Sequence, residues 1–174
     1  MEMETNSIDI ITKFSDDYVP IEIDTYVTRP NISLMTVYEC VSFLSSMKDK
    51  PNTNDIQVML DLVVRIYDDQ FTKRELMNGL SSQHGTHELY EQILFVASGK
   101  NADIDNDVKQ EVEGQEVSSW QDYKSQLNDL IKDMTKDGKD INEVLNLPFI
   151  FMMNDLQQET KKVERQESML DAFM

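Results

Sequence analysis

The apolar positions change period twice along the first hundred residues. Ile21, Ile23 and Thr25 alternate with Glu22, Asp24 and Tyr26, the two-residue period of a strand. Ile8 to Phe14 supplies a partner strand, with Ser15-Asp16-Asp17 as the turn between them, and Pro30-Asn31 closes the region. From Ser33 the spacing becomes three and four. Leu34, Val37, Tyr38, Val41, Leu44 and Met47 mark one helix face, which Pro51-Asn52 interrupts. A second helix follows, capped by Asn54 or Asp55, with a stripe of Ile56, Met59, Leu62, Val63 and Ile66.

Thr72-Lys73-Arg74-Glu75 has the spacing of a capping box and predicts a short helix ending near Gly79. Thr86 is placed to cap the next helix, whose apolar residues are Leu89, Tyr90, Ile93, Leu94, Val96 and Ala97, and Gly99 is placed to stop it. Then the pattern lapses. GKNADIDNDVKQEVEGQEVS, residues 99–118, has no sustained apolar period and no aromatic residue. Beyond it Ser119 and Asp122 flank a helix start, and Trp120, Tyr123, Leu127, Leu130, Ile131 and Met134 form a clear stripe that Gly138 ends. Asp140 to Glu143 resembles another capping box and opens a short turn. Leu147-Pro148 then breaks it, before a last helical run through Phe149, Met152, Met153 and Leu156.

This pattern predicts a mainly α protein with a small N-terminal β element, an α+β chain in three parts: residues 1–98 as a helical domain, 99–117 as an acidic linker and 118–174 as a small helical module. Charge sharpens the picture. The net charge of −17 divides as −9, −4 and −4 over those parts (Ser118 is uncharged), so acidity is spread along the chain. Such a field repels nucleic acid phosphates and anionic lipid heads, which argues against both as partners. No run approaches the roughly 20 apolar residues of a membrane span, and the acidic start MEMETNSIDI is unlike a secretory signal. The expectation is a soluble intracellular protein. Its one cysteine, Cys40, lies in the apolar run VYECVSFL and reads as a buried thiol.

The candidate chemistry is thin. His84 and His87 have a ligand-like spacing, but the chain has no other histidine and only the distant Cys40, short of a zinc set. Asp103, Asp105 and Asp107 open like a calcium loop, yet Val108 and Gly114 stand where that loop needs glycine and glutamate. Gly138-Lys139 lacks the glycine-rich loop that cradles phosphate. We therefore expect no catalysis, no metal and no cofactor. Binding is what remains. Eleven methionines, among them Met47, Met59, Met134, Met152 and Met153 in the stripes, suit either an ordinary core or a surface for variable apolar partners. Trp120, Tyr123, Phe149, Ile150 and Phe151 are a heavy apolar load for so small a module, to be covered by the first domain or by a partner.

Several phrases taken together resemble the tail assembly chaperones of long-tailed phages infecting Gram-positive bacteria. LYEQILFVASG, residues 89–99, is similar to that family's LQEQILFVAxG segment, and IYDDQFT, residues 66–72, to its VYGxQFT segment. Trp120 to Lys124, Gly138 to Leu145 and Leu147 to Phe149 are similar to the C-terminal part of the family's longer product. The resemblance covers about residues 25–158 and is weakest in the first 20; Asp68 stands where the family often has glycine. It implies the long form, commonly made by programmed ribosomal frameshifting, whose partners are the tape measure protein and the major tail tube protein, with self-association or the short form as a further possibility. It implies a role in the host cytoplasm that ends before the virion matures. On this resemblance Trp120, Tyr123, Phe149, Phe151 and Met152 are the candidates for the tube contact. Leu89, Ile93 and Val96 are candidates for packing or tape measure binding. Two rivals fit the composition: an acidic regulatory binder of the DNA-mimic or anti-repressor type, and a structural tail component.

Overall fold

Ser7–Phe14 (β1) and Pro20–Val27 (β2) form an antiparallel hairpin. Its turn is closed by Ser15, whose amide donates to the Val19 carbonyl at 2.9 Å while its hydroxyl accepts from the Val19 amide at 3.0 Å. In this computed structural model the described residues are 5–48, 50–81, 84–98, 119–136 and 138–149, with the backbone of 110–112 and 115–117. The register pairs Ile8 with Tyr26 and Ile11 with Ile23, then shifts after Ile11. Ile8 and Ile10 point into the core, whereas Ile21 and Ile23 point to solvent. The alternation in β2 thus marks a strand whose apolar side faces outward.

Leu34–Ser46 (α1), Thr53–Ile66 (α2), Lys73–Gly79 (α3) and Gly85–Ser98 (α4) follow. Ser33 caps α1 by accepting from the Thr36 amide. α2 begins two or three residues earlier than Asn54 or Asp55 would place it. Asn52 is the cap, accepting from the amides of Asn54 and Asp55, and the Asp55 carboxylate returns to the Asn52 amide at 2.8 Å. The capping box predicted at Thr72 and Glu75 is present, with the carboxylate 2.7 Å from the Thr72 amide. These bonds hold the Glu75 carboxyl below its ordinary pKa. α4 also starts early: Glu88 donates to the His84 carbonyl, so Thr86 lies inside the first turn rather than at the cap. Gly99 lies outside the described residues.

The acidic stretch holds a feature that its composition does not announce. Gln110–Val112 (β3) and Gln115–Val117 (β4) pair as a short antiparallel ribbon. Trp120–Lys136 (α5) and Ile141–Asn146 (α6) come next, with Ser119 capping α5 as predicted and Gly138 in the left-handed region at φ 86° between them. Asp140 caps α6 by accepting from the Asn142 amide, a simple cap rather than the reciprocal box expected with Glu143.

A single cluster of buried side chains runs through the described residues. Val37, Cys40, Val41, Met59, Val63, Leu76 and Ile93 form its centre, and Tyr123, Leu127 and Val144 belong to it as well. The helices after the acidic stretch therefore close over the same core as those before it. The hairpin is seated by close approach: a side-chain carbon on Gly79 would run into the Ile10 side chain and lie 2.8 Å from the Ile11 carbonyl oxygen.

Candidate partner-binding surface

The stripe on α5 is laid against α1. Tyr123 and Leu127 are buried, and Trp120, Leu130, Ile131 and Met134 are half-buried around them. Two polar contacts fix the orientation of the helix. The Tyr38 hydroxyl donates to Asn128 Oδ1 at 3.0 Å, and Lys124 Nζ stands 6.0 Å from the centre of the Tyr38 ring. Burial pushes the Tyr123 phenol up to about 12. Trp120 tilts against Tyr123 with ring centres 6.4 Å apart. After α6 the chain runs back beside the start of α1: the Leu34 amide donates to the Leu147 carbonyl at 3.0 Å, and the Phe149 amide to Ile32 at 2.9 Å.

The candidate residues fall into three groups. Trp120 and Phe149 are half-buried at the edge of the α1–α5–α6 contact, so part of each ring meets solvent, and Tyr123 sits beneath Trp120 as its support. Leu89, Ile93 and Val96 are enclosed in the core on the inner side of α4, so a partner reaches them only if α4 parts from α1 and α2. Phe151 and Met152 lie outside the described residues.

Two features escaped the sequence reading. Gln92, within the α4 stripe, is 3% exposed. Its Oε1 accepts from the Asn6 side chain at 2.9 Å and from the Tyr67 hydroxyl at 2.7 Å, while its Nε2 donates to the Ser7 carbonyl and to Glu88. A lone glutamine between apolar residues was the available signal. The second is the outward face of the hairpin, where Phe14, Val19, Ile21, Ile23 and Val27 are exposed together.

His84 and His87 are both exposed at the start of α4, and His87 pairs with Glu91 at 2.9 Å. No group of three metal-ligating side chains occurs among the described residues, and none of their helices is long and apolar enough to cross a membrane. Cys40 is buried, and desolvation drives its thiol pKa far up, so little reactive thiolate forms. The Asp103, Asp105 and Asp107 triplet lies outside the described residues.

No curated protein and no solved structure matches the chain. A family model described as phage tail chaperone protein matches residues 5–117, which span the hairpin, α1 to α4 and the β3–β4 ribbon. With most of its length inside that match, this chain belongs to the phage tail chaperone family.

Proposed function

We propose that this chain is the long form of a tail assembly chaperone. It holds the tape measure protein in soluble form and recruits tail tube subunits to polymerise around it, without catalysis, in the host cytoplasm, and it leaves before the virion matures. The observation that carries this reading is where the family match stops. It ends at residue 117, the last of the acidic stretch, and the structured helices α5 and α6 lie beyond it. A chaperone domain followed by an extra folded segment fits one partner for each. The tape measure protein is long, helical and partly apolar, and a carrier with a net charge of −17 keeps such a loaded complex dispersed.

In this reading the exposed parts of Trp120 and Phe149, with Phe151 and Met152 following, receive the tube subunit, and Tyr123 holds α5 in place. Leu89, Ile93 and Val96 shape the body that meets the tape measure, or meet it directly if α4 opens.

Co-expression tests both halves. The tape measure protein should stay soluble with the full chain and aggregate without it, and deleting residues 118–174 should abolish capture of tube subunits. Equal aggregation with and without the chain would end the chaperone reading. Tube capture that survives the deletion would end the division of labour.

A further inference from the structure

We propose that the outer edge of β2 is a docking strand for an extended segment that alternates apolar residues with lysine or arginine. The surface is separate from α5 and α6, so the proposal stands or falls independently of the tube contact.

The argument begins with the backbone. Thr28 donates its amide to the Asn6 carbonyl at 2.8 Å, which sets the phase of the hairpin. Counting back by twos along the regular part of the register, Tyr26 and Asp24 turn their amides and carbonyls toward β1, and Val27, Thr25 and Ile23 turn theirs away from it. Gln70 verifies the phase, because its Nε2 reaches the Val27 carbonyl from outside the hairpin at 3.0 Å. That contact caps one end of the edge. Among the described residues no strand pairs with the rest, since the β1–β2 sheet has two strands. An unpaired edge of this kind is a template for strand addition.

Side chains state which strand fits. Ile21, Ile23 and Val27 lie on one face of β2 and are 60%, 54% and 48% exposed. Glu22 and Asp24 lie on the other, also exposed. Across residues 5–28 the acids Asp9, Asp16, Asp17, Glu22 and Asp24 face a single base, Lys13. A strand laid along this edge must therefore offer apolar residues on the isoleucine face and cations on the carboxylate face, which a period-two segment does. A second copy of β2 paired about Ile23 is disfavoured, because Glu22 of each copy then stands opposite Asp24 of the other, and like charges directly opposite destabilise a sheet.

The test uses the full chain and fluorescein-labelled nine-residue peptides read by anisotropy, one alternating lysine with valine and one alternating glutamate with valine. The lysine peptide should bind and the glutamate peptide should not. N-methylation of the peptide amides on one edge should abolish binding, and methylation on the opposite edge should leave it. The Glu22→Lys/Asp24→Lys variant should weaken the lysine peptide about tenfold, the loss of two exposed charge pairs. Thr25→Pro removes an outward amide and spares the backbone bonds to β1, giving up only the hydroxyl's exposed bond to Asp9 Oδ1 at 2.6 Å; it should weaken the peptide too while the thermal melt stays cooperative.

The proposal is overturned if no lysine peptide binds, or if both peptides bind alike. It is equally overturned if methylation on either edge has the same effect, which marks diffuse charge attraction. A dimer in sedimentation that Thr25→Pro converts to monomer would assign the edge to self-pairing. Binding gained only when the chain is cut after residue 149 would assign it to the chain's own C-terminal segment.

Discussion

The Tyr67 hydroxyl donates to Gln92 Oε1 at 2.7 Å, and both side chains are buried. The same oxygen holds Asn6, and the amide nitrogen holds Ser7 and Glu88, so one glutamine ties the end of α2 and the start of the hairpin to α4. Gln92→Leu strands these partners away from water and should cost about 2–4 kcal/mol, with Tyr67→Phe costing about 1 kcal/mol. The double variant should cost less than the sum, because the two changes share a bond. Urea midpoints measure all three; an unchanged midpoint for Gln92→Leu would remove the network from the account of stability.

Stability should hold to about pH 9 and then fall. Burial raises the pKa of Tyr67, with the charges of Glu88 and Asp9 adding to it, and raises Tyr123 from 10.0 to about 12. A phenol with a raised folded value keeps its proton in the native state while the unfolded chain begins to lose it near pH 10, so rising pH favours unfolding. Cys40 acts in the same direction from its lower ordinary value of 9.0. By pH 12 Tyr123 alone should remove on the order of 2 kcal/mol. Thermal melts from pH 7 to 12 should show the decline, and Tyr123→Phe should flatten it; a Tyr123→Phe profile as steep as the parent's would contradict the assignment.

Gly79→Ala should loosen the hairpin. The added carbon meets the Ile10 side chain and the backbone of Ile11, and backbone cannot give way as a side-chain tip can. We expect a loss of about 1–3 kcal/mol, against a gain from alanine's better helix propensity had the site been open. Hydrogen exchange should accelerate in β1 and β2 before it does in α1 and α2.

Asp68 and Asp69 follow α2 in the left-handed region, each with φ 56°. Glycine adopts that conformation freely and aspartate at a cost. Asp68 recovers some of this through Arg29, 2.6 Å away, but both side chains are more than half exposed and such pairs contribute little. Asp68→Gly should therefore stabilise the chain by up to about 1 kcal/mol, and Arg29→Ala should change stability by less than about 0.5 kcal/mol. A lower melting temperature for Asp68→Gly would show that the ion pair matters more than the backbone.

Local chemistry was legible in the sequence to the degree that it was local. The hairpin, the Thr72 box, the Ser119 cap and the Gly138 stop follow from residue types and spacing alone, and the structure has each of them. The α2 cap was misplaced because Asn52, Asn54 and Asp55 are all competent, and only the chain direction after Pro51 selects among them. Gln92 was missed because three of its four partners lie 25 to 86 residues away along the chain, beyond any periodic pattern. The apolar stripe of α5 announced that something covers it. That α1 does so depends on Tyr38 meeting Asn128, which no spacing encodes.

The bonds joining Ile32 and Leu34 to Phe149 and Leu147 also set a schedule. A ribosome adding about 5–20 residues per second spends several seconds between the end of α4 and Phe149. Throughout that interval the face of α1 that Tyr123 and Leu127 will cover is open on the nascent chain. The chain thus passes through a stage with an apolar face uncovered, the same condition it is proposed to relieve in its partner.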